Sequence, residues 1–407
     1  MQNRLALVFI LITVMLDAIG IGLIAPVMPD LLEHVTNSSL SNAAIWGGVL
    51  TTAFAVMQFV CGPTVGNLSD RFGRRPILLI SLAFMAGNYL LMALATSVWV
   101  LLIGRILSGI ASATQSTASA YIADISAPDQ RAKNFGYIGA GFGVGFTLGP
   151  MIGGMLATID IRAPFYAAAL MASANFILGV LVLPETVTDL IRRPFTWARG
   201  NPLASFRSIG QLQGVKRLLI IYLIYSVAFW VYPSVWSYYG KAQFGWDTWM
   251  VGISLAFYGF CMIVVQATMI APATKRFGEH RSALLGMLID LCTYIFYGFI
   301  TSSFWAIAIT PITVLGGLVM PSLQSIMSQA TPDNAQGELQ GVLSSLNAVA
   351  MILSPLVMTA TFSAFTAPDA AIHLPGAPFL LSAVLLVVCV AIHVARPRAT
   401  APALPLG

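Results

Sequence analysis

Three ionisable side chains stand out by where they sit. Asp17, Arg105 and Asp290 each lie inside an apolar run about 20 residues long. A run of about 20 is what a helix needs to cross a hydrocarbon core roughly 30 Å thick. A charge held near the middle of such a core costs about 2.5–3.5 kcal/mol on insertion scales, so these residues face a cavity or a partner and mark ion or substrate paths. A carboxyl at that depth can alternate between charged and neutral forms as its surroundings change. Asp17 and Asp290 are therefore the candidate proton carriers. The plainer reading of each is a hydrogen-bond acceptor that holds a neighbouring helix. Arg105 stays protonated at any accessible pH and cannot carry the proton itself. It can bias a nearby carboxyl or hold an anion.

Around these charges the sequence repeats polar and aromatic residues at helical spacing. Arg105, Ser108, Ser112, Gln115 and Ser119 follow i, i+3, i+7, i+10 and i+14, one face of a helix that would line a cavity or bond a neighbouring helix. Tyr222, Tyr225, Phe229, Tyr232 and Trp236 form a second face. Such a face can stack on an aromatic ligand or serve as packing. Gln58, Gln266, Gln324 and Asn347 are further polar residues at membrane depth, each a candidate substrate contact or an interhelical hydrogen bond.

The elements that must position these residues follow from composition. The chain of 407 residues is 58% hydrophobic and only 9% charged, with a mean hydropathy of +0.85. A soluble domain carries about 25% charge, so this one is read as an all-α membrane protein. Twelve transmembrane spans are expected near 6–30, 44–67, 76–95, 98–121, 133–157, 164–183, 217–239, 249–272, 282–300, 304–327, 338–362 and 376–395. The first continues through Asp17 without a cleavage-type end, so it is read as a retained helix rather than a signal peptide. Of the 20 Lys and Arg residues, 17 fall on loops of one parity; Arg162 and Lys241 fall on the other, and Arg105 lies within a span. The positive-inside rule then places both termini in the cytoplasm. Residues 184–216 are the one long polar stretch and read as a cytoplasmic linker. It divides an N-terminal six-helix half, 1–183, from a C-terminal half, 217–396, with a cytoplasmic tail at 397–407. Arg71-Phe72-Gly73 after span two and Arg276-Phe277-Gly278 after span eight echo each other at matching positions, which supports two parallel repeats.

Other chemistries find little support. The net charge of +5 is spread over short loops without a basic, aromatic-rich stripe, so nucleic acid is not an expected partner. Cys61, Cys261, Cys292 and Cys389 lie in apolar runs and form no CxxC pair, and His34, His280, His373 and His393 are scattered. No metal and no cofactor are expected. Phosphate-loop, GxSxG and HExxH patterns are missing from the sequence, which argues against ATP as the driving force and against an enzyme.

Two longer motifs carry a resemblance. Gly66-Asn67-Leu68-Ser69-Asp70-Arg71-Phe72-Gly73-Arg74-Arg75-Pro76 resembles the loop 2–3 signature of the major facilitator superfamily. A cluster of Asp70, Arg71 and Arg74 that breaks and reforms could latch one of two transporter states, with Gly73 at the turn. The plainer reading is positive-inside anchoring. Gly136, Gly145, Gly149, Pro150, Gly153 and Gly154 resemble the fifth-helix pattern of that superfamily's antiporters. Small residues four apart let helices approach closely, and the Gly149-Pro150 pair weakens the helix and permits a bend. Within the superfamily the sequence is most similar to the tetracycline/proton antiporters, on residues 16–29, Arg105-Ile106-Leu107-Ser108-Gly109, Phe244-Gly245-Trp246, Leu285-Gly286 and Pro321-Ser322-Leu323-Gln324. The resemblance implies a proton site at Asp290. It also marks two departures: the third-helix acidic position is Asn88 here, and the eighth-helix histidine position is Met262.

The resemblance implies a major facilitator fold in a bacterial inner membrane, working by alternating access as a monomeric proton-coupled exporter of small aromatic or amphipathic drugs. The halves would rock about a midplane site, with Gly145, Gly149 and Pro150 assisting. One competing reading is a proton-coupled importer of a small metabolite. Another is a membrane sensor that no longer transports.

Overall fold

The computed structural model describes residues 2–112, 114–127, 130–187 and 214–395, together with 196, 201, 202 and 212. Most of the 184–216 connection and all of the 397–407 tail lie outside the described residues, as does the side chain of Gln115. Every regular element among the described residues is helical.

Among the described residues, eleven helical stretches are long and apolar enough to cross a membrane: Ala6–Ile24, Leu40–Phe72, Arg74–Ala93, Lys133–Ala157, Ala163–Val182, Lys216–Phe244, Thr248–Thr268, Glu279–Phe299, Ser303–Gln329, Gln336–Ala364 and Ala377–Val394. The shorter helix Val98–Ala111, followed by Thr114–Ile125, supplies the remaining crossing. Numbered in chain order, these are spans one to twelve. Large apolar side chains such as Leu170, Leu181, Trp99 and Phe304 stand more than 60% exposed. An apolar exterior on that scale suits lipid, not water.

Several spans differ from their expected extents, spans one, four, seven and ten among them. Span one stops at Ile24, and a separate helix, Met28–Thr36, starts with Pro29 in its first turn, where a missing N–H does no harm. Span four divides at Ala111, where Ser112 caps the first segment. Span seven consists of Lys216–Phe229 and Val231–Phe244, meeting at Trp230. Span ten is the most broken: Ser303–Ala308, Thr310–Thr313, a 3-10 stretch at Val314–Leu318, then Val319–Gln329. Pro311 and the Gly316-Gly317 pair weaken the α-helical ladder there.

Packing has an internal symmetry. Span one lies on span five as span seven lies on span eleven, and span three on span six as span nine on span twelve. The halves meet through spans two and eleven and through spans five and eight, again a matched pair. The repeated Arg-Phe-Gly triplet is part of it. Gly73 (φ 112°) and Gly278 (φ 76°) both turn the chain in a conformation that L side chains disfavour. Arg71 lies over the Phe72 ring at 5.0 Å and Arg276 over Phe277 at 5.7 Å.

Candidate functional site

The charged residues gather into two clusters, one in each half. In the first, Asp17 is half-buried on span one. Tyr89 of span three is 5% exposed and lies within electrostatic range of both Asp17 and Arg105. Its hydroxyl rests against Gly20, one turn beyond Asp17, so a side chain at Gly20 would displace it. Arg105 also lies within range of Tyr238 on span seven, so its charge spans the interface between the halves. The guanidinium Nε is buried without a hydrogen-bond partner among the described residues. On the same helix as Arg105, Ser108 Oγ accepts from the Asn88 side-chain amide at 2.5 Å. Asn88 and Leu107 contribute to a groove of about 410 Å³ between spans three and four.

The polar face expected on span four is interrupted. The helix ends at Ala111 and resumes at Thr114, so the residues from Arg105 to Ser119 lie on two segments. Ser112 turns its hydroxyl back to the Gly109 carbonyl at 2.7 Å.

The second cluster surrounds Asp290, which is 3% exposed on span nine. Tyr225 of span seven donates to Asp290 Oδ2 at 2.7 Å and also lies 3.1 Å from the Gly316 carbonyl oxygen, inside the 3-10 stretch of span ten. The carboxylate fills the space a side chain at Gly316 would need. Tyr232, Tyr258 and Tyr294 lie within electrostatic range of Asp290. The hydroxyls of Tyr232 and Tyr294 are buried without partners among the described residues.

The aromatic face of span seven therefore has divided uses. Tyr222 lies near Gln324 of span ten, and Tyr225 stacks on Phe229 with centroids 6.3 Å apart. Tyr232 and Trp236 are buried instead among Tyr297 and Phe379, with Tyr232–Phe379 at 5.5 Å and Trp236–Tyr297 at 5.3 Å. Trp236 also donates to Ser254 at 2.9 Å. Packing of this kind leaves Tyr232 and Trp236 little room for a ligand, whereas Phe229 is half-buried. Asn347 of span eleven accepts from the Trp230 indole at 3.4 Å. Met262 packs against the buried group of Cys261, Val265 and Val314. Gln58 is half-buried on span two, and Gln266 is exposed on span eight.

Charged contacts mark both ends of the bundle. At the end carrying the termini, Asp70 pairs with Arg74 at 2.5 Å, and Arg74 Nε reaches Asp124 at 3.3 Å. Glu185 accepts from the backbone N–H groups of Arg74 and Arg75 at 2.9 and 3.3 Å, occupying the space a side chain at Gly73 would need. Arg71 stays exposed over Phe72, outside this cluster. These contacts all stay within the first half or the segment that leaves it. At the opposite end, Asp30 joins the halves: Lys241 pairs with one of its oxygens and Thr248 donates to the other. Ser237 donates to the Ala25 carbonyl at 2.9 Å.

The glycine pattern of span five sets backbone distances. Gly145 and Gly149 lie directly against the backbone of span one at Met15 and Ile19, and Gly154 against Thr248 of span eight. One continuous helix runs through Pro150, whose carbonyl abuts Gly252.

Several of these partners carry no distinctive sequence signal. Asp30, Lys241 and Glu185 sit near span ends, where charges are ordinary. Tyr89, Tyr258, Tyr294 and Gly316 look like lipid-span residues until the fold brings them to a carboxyl or a guanidinium.

Comparison with known proteins places this arrangement among relatives. The model of the Major Facilitator Superfamily matches residues 10–355 and, in an overlapping second match, 218–405. The tetracycline resistance protein, class C, of Escherichia coli is 40% identical, covering 96% of both chains. The tetracycline resistance protein, class G, of Vibrio anguillarum is 38% identical, over 98% of this chain and 99% of its own. The crystal structure of the human organic anion transporter MFSD10 (TETRAN) superposes with a TM-score of 0.70 at 23% identity, covering 96% of this chain and 99% of its own.

Proposed function

The chain belongs to the Major Facilitator Superfamily, and we propose that it exports small aromatic or amphipathic drug-like molecules in exchange for protons, by alternating access. One observation carries the proton half of this reading. Asp290 is a carboxyl at membrane depth, 3% exposed, held by a phenol and not by a cation among the described residues. A lone carboxyl in that setting is poised to gain or lose a proton as water reaches it. The drug half is supported by the similarity to tetracycline resistance proteins over nearly the whole chain.

In this scheme Asp17 and Asp290 take up protons, and Arg105 biases Asp17 through the shared neighbour Tyr89. The substrate passes between the halves. It is contacted by Arg105, Ser108, Asn88 and Gln115 on one side and by Phe229, Gln324 and Asn347 on the other, with Gln58, Met262 and Gln266 along the path. The division 1–183, 184–216, 217–396 and 397–407 makes the two halves the rocking bodies. The protein works as a monomer in a bacterial inner membrane, without a nucleic-acid partner. With the termini cytoplasmic, the Asp30 contacts close the outer face and the conformation described here opens inward. Asp70, Arg74, Asp124 and Glu185 then rearrange when the inner face closes.

The test is drug-dependent proton release from inverted vesicles, with tetracycline first in a panel of drugs. Native protein should release protons on drug addition, and Asp17→Asn and Asp290→Asn should each lose at least about tenfold of the rate. A native protein silent to every drug, or a full rate in both variants, overturns the reading.

A further inference from the structure

We propose that Tyr225 is the positioning residue that couples the proton on Asp290 to the broken helix of span ten. The inference rests on the reading of Asp290 as a proton site. It adds how that proton reaches the backbone that must move.

The phenol has one hydrogen and two acceptors. Asp290 Oδ2 lies 2.7 Å from its oxygen and the Gly316 carbonyl 3.1 Å. An ionised carboxylate is the stronger acceptor and takes that hydrogen. When Asp290 gains a proton it becomes a donor, its O–H turns to the phenol oxygen, and the phenol hydrogen is released to Gly316. One proton enters the carboxyl; no other covalent bond changes. The Gly316 carbonyl already accepts the Val319 N–H that closes the 3-10 turn. A carbonyl has two lone pairs and can accept both. Neutral Asp290 therefore adds a hydrogen bond to the 3-10 turn, and ionised Asp290 withdraws it.

The surroundings favour such a relay. Gly316 presses its backbone against the carboxyl, with no side chain between. The other titratable groups in range are Tyr232 of span seven, Tyr258 of span eight and Tyr294 on the same helix as Asp290. None competes for the Gly316 carbonyl. Tyr225 is 1% exposed, so water does not replace it.

The experiment uses full-length protein in nanodiscs and needs no drug. Infrared titration follows the protonated carboxyl band that Asp290→Asn removes, and hydrogen exchange follows the amides of residues 314–319. Tyr225→Phe keeps the ring that packs on Phe229 and removes only the hydroxyl. The expected result is that it moves the midpoint of the Asp290 band by about one pH unit. It should also abolish the protonation-dependent change, about tenfold in native protein, in exchange at 314–319. Asp290→Asn should abolish that change too, and the double variant should do no more than either single. An unmoved band, or protection at 314–319 that, after correction for the intrinsic pH dependence of exchange, still changes across the Asp290 titration in Tyr225→Phe, overturns the inference and leaves the proton site standing. If Asp290→Asn removes no titrating band, the proton-site reading itself falls.

Discussion

Glu33 shows how a single side chain can tie the closed end of the bundle to pH. It lies on the Met28–Thr36 helix, one turn beyond Asp30 and close to Lys241. Burial raises its affinity for a proton above that of an ordinary carboxyl, and the neighbouring Asp30 adds to this while Lys241 opposes it. A group whose proton is held more tightly in the folded state stabilises that state at low pH and loses the effect as pH rises through the raised value. Glu33 should therefore add to the stability of the fold near and below the ordinary glutamate value of 4.5 and lose that contribution as pH rises above it. The thermal midpoint in detergent should carry this dependence in native protein over that acid range, and Glu33→Gln should remove it. The same scale explains why Asp290 and Arg105 were legible early: an ionisable residue inside an apolar run is conspicuous without any coordinates. Tyr225 was legible only as one ring of a stripe, because a phenol signals nothing until its acceptors are known.

At the scale of elements, span five is a spacer as much as a crossing. Gly149 stands with its Cα against Ile19 and Gly22 of span one, closer than any side chain would permit. Gly149→Val should overpack this contact by about 1–3 kcal/mol. The expected outcome is a thermal midpoint in detergent several degrees below that of native protein, while Gly136→Ala, in open space, leaves it unchanged. The pattern of small residues was readable in sequence because its period matches the helix. The breaks in spans four, seven and ten were not. Hydropathy averages over about 19 residues, so a helix divided for one or two residues reads as continuous. The break in span ten is also where Gly316 meets Asp290, and that pairing joins residues 26 positions apart.

At the scale of the whole molecule, the halves are held by helix packing along spans two, five, eight and eleven, and by the polar contacts of Asp30 at one end. Charge reversal tests whether those contacts set the conformation. Asp30→Lys alone places like charges together and should expose that end, seen as faster labelling of a Ser237→Cys variant by an impermeant thiol reagent. Combining Asp30→Lys with Lys241→Asp should restore protection, because the pair is reversed but kept. Labelling that does not change in Asp30→Lys would show that helix packing alone closes this end.

Much of this protein is legible in local composition and period alone. The membrane setting followed from the scarcity of charge, the crossings from apolar run length, the repeat from Arg-Phe-Gly at matching loops, and the candidate proton sites from carboxyls that lipid cannot solvate. Which distant groups share an atom-scale contact is set by the folded bundle instead. Asp30 with Lys241, Glu185 with the Arg74 amide, and Tyr225 between Asp290 and Gly316 join residues 211, 111 and 65 or 91 positions apart. No periodicity links such positions, since each contact is made by the packing of helices against one another rather than by the helix repeat itself.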